Sequence, residues 1–306
     1  MTILLLEPIH ADAQQLLAAH DLALPPEQRE DADAASVVAL VTRGRERVGA
    51  AEFARYPNLR VIARCGVGVD NIDTALAAQR GVPVVYAPGS TTNAVAEHTL
   101  MLMLAAARRL HQIAAAVDRG DWGVRNGYSA IELCGRTLGV IGMGAIGQRV
   151  ALFGGMIGMR VMSWNRSAQP GAQHVGFDNL LANADVVSLH VALTAETRQL
   201  IGARELALMK PSAILVNTAR GGLIDQRALA LALDDGRPGY FAADVLDPEP
   251  PTAHERLIGS ARTLITPHTA ALTDTTFRAM SLRTAHNVIA LLRGEPPEIE
   301  ALYQAT

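Results

Sequence analysis

The chain has 306 residues, 49% hydrophobic and 19% charged, with a formal net charge of −3. Its length exceeds one typical hydrophobic core and suits two domains, and its composition excludes a disordered chain. Acidic and basic residues are mixed without a basic stripe, which argues against nucleic acid or a membrane surface as a partner, and no apolar run reaches the ~18 residues of a membrane span.

The first seven residues form an apolar run without a basic flank or a small-residue cleavage site, so they read as a buried strand rather than a signal peptide. Strands are expected at residues 3–6, 37–41, 60–63 and 82–86. A second block is expected at 137–142, 160–164, 186–189, 213–217, 240–243 and 263–266. Most of these runs lack polar alternation, as parallel strands covered on both faces do. Helical patterns separate them, which is the βαβ signature.

Between the blocks, residues 93–117 are rich in Ala, Leu and Met and read as one long helix joining two domains. Asn93 is expected just before it and Glu97 in its first turn, where a carboxylate suits the helix dipole. Residues 119–134 are turn-rich and read as a connector. The two cysteines, Cys65 and Cys134, cannot form a disulfide framework in a chain this long, which points to a reducing cytoplasm. No His, Cys, Asp and Glu cluster has metal-ligand spacing, so no metal is expected.

The run Gly142-Met143-Gly144-Ala145-Ile146-Gly147 is a G-x-G-x-x-G pattern between an apolar strand and a helix pattern at 148–156. Gly142 permits the tight turn, Gly144 lets the backbone approach a pyrophosphate, and Gly147 lets helix pack on strand. The phosphates then rest on backbone N–H groups from Ala145 and Ile146 onward. Sites for NAD place a carboxylate at the end of the next strand to hold the ribose. Here that strand runs into Asn165, Arg166 and Ser167. Without an acidic group to repel a 2′-phosphate, and with Arg166 to pair with one, NADP is expected to be favoured over NAD.

Ligands of open parallel sheets bind beyond the carboxyl ends of strands, and those ends here carry His190, Arg220, Asp244 with Glu249, and His268. Reducing a 2-oxo acid needs a proton for the carbonyl oxygen as hydride reaches carbon. A histidine suits that task, a carboxylate orients its ring, and an arginine aligns the substrate.

Together with Arg64 through Asp73, Asn93 through His98, Val216 through Asp225 and Pro267-His268, these motifs resemble the D-isomer-specific 2-hydroxyacid dehydrogenase family across nearly the whole chain. The resemblance implies two doubly wound α/β domains with parallel sheets. A Rossmann cofactor domain, 98–284, would be inserted in a flavodoxin-like substrate domain built from 1–97 plus 285–306. It implies Arg220, Glu249 and His268 as the catalytic set and backbone N–H groups of Val67 and Gly68, with Arg220, as substrate contacts. It places His190, Thr218, Ala219 and Asp244 against the cofactor, and it implies a homodimer formed through the cofactor domain and the connector.

Two stretches depart from the family pattern. His190-Val191-Ala192-Leu193-Thr194 has Ala192 where the family usually has Pro, and Thr269-Ala270-Ala271 follows His268 where Gly or Ala-Gly-Ala-Thr is common. Related formate dehydrogenases carry Gln in place of Glu249. The Asn165–Ser167 end is similar to glyoxylate/hydroxypyruvate reductases, whereas the Arg64–Asp73 stretch is similar to phosphoglycerate dehydrogenases. The expected activity is therefore a glyoxylate/hydroxypyruvate-type reductase, with phosphoglycerate dehydrogenase as the alternative. A dinucleotide-sensing protein without turnover is the alternative of another class.

Overall fold

The computed structural model describes residues 1–167, 169–252 and 256–304. The chain divides into two compact units, Met1–Thr91 with Ala271–Thr306, and Thr92–Ala270.

In the first unit, strands β1 (Thr2–Leu5), β2 (Leu22–Leu24), β3 (Val37–Thr42), β4 (Val61–Arg64) and β5 (Val84–Val85) form a parallel sheet in the order β2-β1-β3-β4-β5. That is the flavodoxin-like order. Helices α1 (Ala11–Ala18), α2 (Ala50–Arg55), α3 (Thr74–Gln79) and the late α10 (Asp274–Leu292) cover it. Side-chain caps start three of them, with acceptors on His10 for α1, Asp73 for α3 and Thr273 for α10. One side of the sheet packs Ile3, Leu5, Val41 and Ala63 against Met280, Val288 and Ile289 of α10. The other side packs Leu4, Leu40 and Ile62 against Phe53 and Tyr56. Apolar burial on both faces explains why these strands read as continuous apolar runs.

The second unit starts with α4 (Thr92–Ala107) and α5 (Leu110–Asp118) and continues through β6 (Thr137–Ile141), α6 (Ala145–Met156), β7 (Arg160–Trp164), β8 (Gln173–His174) and α7 (Phe177–Asn183). It ends with β9 (Val186–Leu189), α8 (Ala203–Leu208), β10 (Ile214–Asn217), α9 (Gln226–Asp234), β11 (Tyr240–Ala243) and β12 (Thr263–Ile265). Its parallel sheet runs β12-β11-β10-β9-β6-β7-β8, the Rossmann order extended by one strand, with the direction of winding reversing between β6 and β9.

The expected single helix over 93–117 is two helices. Arg109 adopts a left-handed conformation, φ 46°, between α4 and α5, and the axes bend by 66°. The break falls at Arg108 and Arg109, and the sequence carries no Gly or Pro there to mark it. The helix also begins at Thr92, which puts Asn93 inside its first turn. The edge strands β2 and β8 escape the sequence reading because three apolar and two polar residues are too short to show a strand pattern, and backbone pairing defines them. The units divide at 91/92 and 270/271, where the sequence reading expected 97/98 and 284/285. Both expected boundaries fall inside helices, α4 and α10, that each stay whole on one core. Among the described residues, no single helix is long and apolar enough to cross a membrane.

Candidate active site

The second unit builds a row of polar groups along the carboxyl ends of adjacent strands. β6 runs into the glycine turn, whose backbone is over-determined. Gly142 sits at φ +97°, and a Cβ there would lie 2.6 Å from the His190 carbonyl oxygen. A Cβ on Gly147 would lie 1.9 Å from the Gly142 oxygen. By contrast, a Cβ on Gly144 would meet nothing within 4 Å, so this glycine borders open space. Helix α6 starts directly after it at Ala145, earlier than the expected 148, and Gly144 offers no side-chain cap. The N–H groups at Ala145, Ile146 and Gly147 are thus presented at a bare helix N-terminus of twelve residues. This cradle fits a dinucleotide pyrophosphate.

At the neighbouring strand end, Trp164 is followed by half-buried Asn165, which donates to the Ser167 carbonyl at 3.2 Å, and by exposed Arg166. The Thr194 hydroxyl holds the Glu196 carboxyl below the ordinary carboxylate range, and the Arg166 charge adds to that, so the two side chains share one locality. On the other side of β6, His190 follows β9, and its Nε2 is 2.8 Å from the Ser188 hydroxyl. Burial pushes its imidazole down to about 3, so the ring is neutral at pH 7.

β10 ends at Asn217, which is fully buried and ties down the next turn. Its Nδ2 donates to the Arg220 carbonyl at 2.8 Å, and its Oδ1 accepts from the Ala219 N–H at 3.0 Å. The Thr218 hydroxyl lies 2.8 Å from that of Thr99 on α4. Thr99 already donates to the Val95 carbonyl at 2.7 Å, so Thr218 is the donor. Gly221 packs the Arg220 turn against the next loop, since a Cβ there would fall 2.0 Å from the Leu246 carbonyl carbon.

That next loop follows β11 and carries Glu249. Its Oε1 accepts from the Leu246 N–H at 3.1 Å, and its Oε2 is 2.6 Å from Nδ1 of His268. His268 follows β12 and has a left-handed backbone, φ 55°. With Nδ1–H donated to the carboxylate, Nε2 is the ring atom left to exchange a proton. Asp244 at the end of β11 is 1% exposed, and both carboxylate oxygens accept protein donors, among them Thr266 Oγ1 at 2.6 Å and the Ala270 N–H at 2.8 Å.

The sequence-expected residues of the second unit therefore share one edge of one sheet. Glu249 and His268 are in direct contact, and the Arg220 turn abuts the loop that leads to Glu249. In the first unit, β4 runs into Cys65, Gly66, Val67 and Gly68, where Gly66 has φ +150° and Val67 is exposed. Asn217, Thr99, Thr266 and Ser188 were not singled out from the sequence. Asn217 carried the clearest signal, an amide at the end of an otherwise apolar strand. Among the described residues, no group of three or more His, Cys, Asp or Glu side chains converges as a metal site.

The fold and this edge define a dinucleotide-binding α/β protein with a hydrogen-bonded histidine–glutamate pair at its strand ends. Residues 100–270 match the family model "D-isomer specific 2-hydroxyacid dehydrogenase, NAD binding domain". The chain belongs to the D-isomer specific 2-hydroxyacid dehydrogenase family. It is 38% identical to a D-3-phosphoglycerate dehydrogenase of Archaeoglobus fulgidus over 97% of its own length but only 58% of that relative's. It is 39% identical to a glyoxylate reductase of Aeropyrum pernix, covering 89% of the chain and 85% of the relative. Solved structures agree. A D-lactate dehydrogenase of Aquifex aeolicus, complexed with NAD and lactic acid, superposes over 100% of both chains with a TM-score of 0.91 at 27% identity. An NADPH-dependent glyoxylate/hydroxypyruvate reductase of Sinorhizobium meliloti, complexed with NADP and malonate, covers 100% of this chain and 98% of its own, with a TM-score of 0.88 at 26% identity.

Proposed function

We propose that the chain is a glyoxylate/hydroxypyruvate-type reductase that interconverts a small 2-oxo acid and the D-2-hydroxy acid. The observation that carries this reading is the 2.6 Å Glu249–His268 pair standing in the same strand-end row as the glycine cradle. The second unit serves as the cofactor domain and the first as the substrate domain. When bound, the nicotinamide supplies the hydride to the substrate's carbonyl carbon.

The chain's own groups do the rest. His268 Nε2 delivers the proton to the carbonyl oxygen, and Glu249 steadies the imidazolium through Nδ1. Arg220 binds the substrate carboxylate and polarises the carbonyl, and the first unit offers the N–H groups of Val67 and Gly68 as substrate contacts. Thr218, Ala219, His190 and Asp244 form the nicotinamide end, while Gly142, Gly144, Ala145, Ile146 and Gly147 hold the pyrophosphate. Asn165, Arg166 and Ser167 take the 2′-phosphate, which favours NADP over NAD.

The chain works in the cytoplasm as a homodimer. Met101, Leu104 and Leu110 on α4 and α5 are 46%, 41% and 52% exposed, and Trp122 in the connector is 69% exposed. Such an apolar patch suits a second copy. The phosphoglycerate dehydrogenase reading rests on the 38% identity to the archaeal enzyme.

Initial rates with hydroxypyruvate and glyoxylate, each with NADPH and NADH, test the reading. Higher kcat/KM with NADPH supports it. Preference for NADH discards the Arg166 argument but keeps the reaction. Turnover only with 3-phosphohydroxypyruvate selects the alternative, and no turnover with any pair selects the sensor.

A further inference from the structure

Two residues outside the catalytic set converge on the loop that carries His268. His98 lies in the first half of α4, with its side chain only 15% exposed, and its Nε2 is 2.9 Å from Thr266 Oγ1. Thr266 Oγ1 is 2.6 Å from Asp244 Oδ1 and 3.4 Å from the Ala243 carbonyl. The Thr266 hydroxyl donates its single hydrogen to Asp244 Oδ1, so His98 donates to the hydroxyl oxygen. The direction of the chain is thus His98 Nε2–H to Thr266 Oγ1–H to Asp244 Oδ1.

Asp244 also braces the backbone around His268. Oδ1 accepts from the Thr269 N–H at 2.9 Å, Oδ2 accepts from the Ala270 N–H at 2.8 Å, and the Asp244 carbonyl accepts from the His268 N–H at 2.8 Å. These bonds flank a non-glycine residue at φ 55°. A left-handed backbone costs an L-residue about 1–2 kcal/mol, so it persists only where its surroundings hold it.

We propose that His98 is a positioning residue for the proton-transfer histidine, acting through Thr266 and Asp244 to hold residues 268–270 in the turn that directs His268 at Glu249. By donating to the Thr266 oxygen, His98 turns its hydrogen toward Asp244 and away from the competing Ala243 carbonyl. Asp244 then stays aligned with the Thr269 and Ala270 amides. The same turn of α4 braces the Thr218 loop through Thr99, so consecutive residues of one helix support two strand-end loops. The catalytic half of this proposal rests on the acid–base reading of His268.

The test uses the full chain and four variants, His98→Ala, His98→Gln, Thr266→Val and Thr266→Ser. In His98→Ala and Thr266→Val, amide exchange at Thr269 and Ala270 should accelerate about 10-fold. kcat should fall about 10-fold while the NADPH Kd and the substrate KM stay within about twofold. His98→Gln and Thr266→Ser, which keep the donor or the hydroxyl, should recover most of both. Unchanged exchange and kcat in His98→Ala would overturn the proposal. So would parallel losses of kcat, Kd and Tm that neither conservative variant rescues, because that pattern marks a general structural role. A His268→Ala variant that keeps its activity would overturn the acid–base reading instead, and exchange at Thr269 and Ala270 would then decide the positioning role alone.

Discussion

Each unit buries a carboxylate at a strand end and uses it to hold a loop from a neighbouring strand. In the first unit Glu7, just past β1, accepts through Oε2 from the Thr42 hydroxyl at 2.8 Å and from the amides of Arg43 at 2.7 Å and Gly44 at 2.8 Å. In the second unit Asp244 does the same for residues 266–270. What differs is the cargo. The Glu7 loop presents Arg43, which donates to the Pro8 carbonyl and lies over the Phe277 ring, whereas the Asp244 loop presents a histidine paired with a carboxylate, Glu249. A shared device for shaping a loop says nothing about chemistry until the side chain it presents has a partner with which it can exchange a proton.

The largest expected effect comes from removing the cargo itself. His268→Ala should lower kcat by about 10³-fold while dinucleotide binding, followed by nicotinamide fluorescence, changes less than about twofold. Activity near that of the parent would take His268 out of the reaction. Arg220→Lys should lower kcat/KM for a 2-oxo acid by about 10²-fold, because a point charge cannot replace a planar fork; unchanged substrate kinetics would sink that role.

The two carboxylates themselves offer the sharpest contrast. Asp244→Asn should cut kcat by more than it cuts stability. Glu7→Gln should cost about 1–3 kcal/mol in urea unfolding and leave kcat within about twofold. Burial pushes the Glu7 carboxyl up, but the Thr42 hydroxyl and the Arg43, Glu46 and Gly44 amides outweigh it and leave it below its ordinary value of 4.5. Its contribution is therefore present above pH 4.5 and is lost as pH falls through the lowered value, so parent and variant should converge in acid. A gap that persists there would mean the loop is held by something other than the charge.

The smallest effect on stability at neutral pH belongs to His190. Its folded value of about 3 lies below the ordinary 6.5, so the unfolded chain binds the extra proton, and stability present above 6.5 is lost as pH falls toward 3. The slope is at most about 1.4 kcal/mol per pH unit, and His190→Gln should remove it. An unchanged acid limb would show that the ring protonates within the fold.

Much of the site was legible because its residues sit where strand grammar changes abruptly. Gly142, Gly144 and Gly147 interrupt an apolar run, and Arg220, Glu249 and His268 each follow a run of buried residues within a few positions. The supporting residues were not legible for the opposite reason. Thr99 and Thr266 are ordinary polar members of a helix and a strand end that nothing in their local spacing marks, and His98 closes the Asn93–His98 motif without any sign of its partner. The break at Arg109 was invisible too, since two arginines between apolar stretches read as the exposed turn of one continuous helix.

By itself the sequence determined the alternation of strand and helix, the glycine turn, and which polar side chains lie at strand ends. These follow from local sterics and from burial along consecutive residues, which the chain states directly. The tertiary structure alone decided which strands lie side by side, and with that the meeting of Glu249 with His268 and of His98 with Thr266. Those pairs stand 19 and 168 residues apart, and only the order in which the sheet assembles brings such groups within hydrogen-bonding distance.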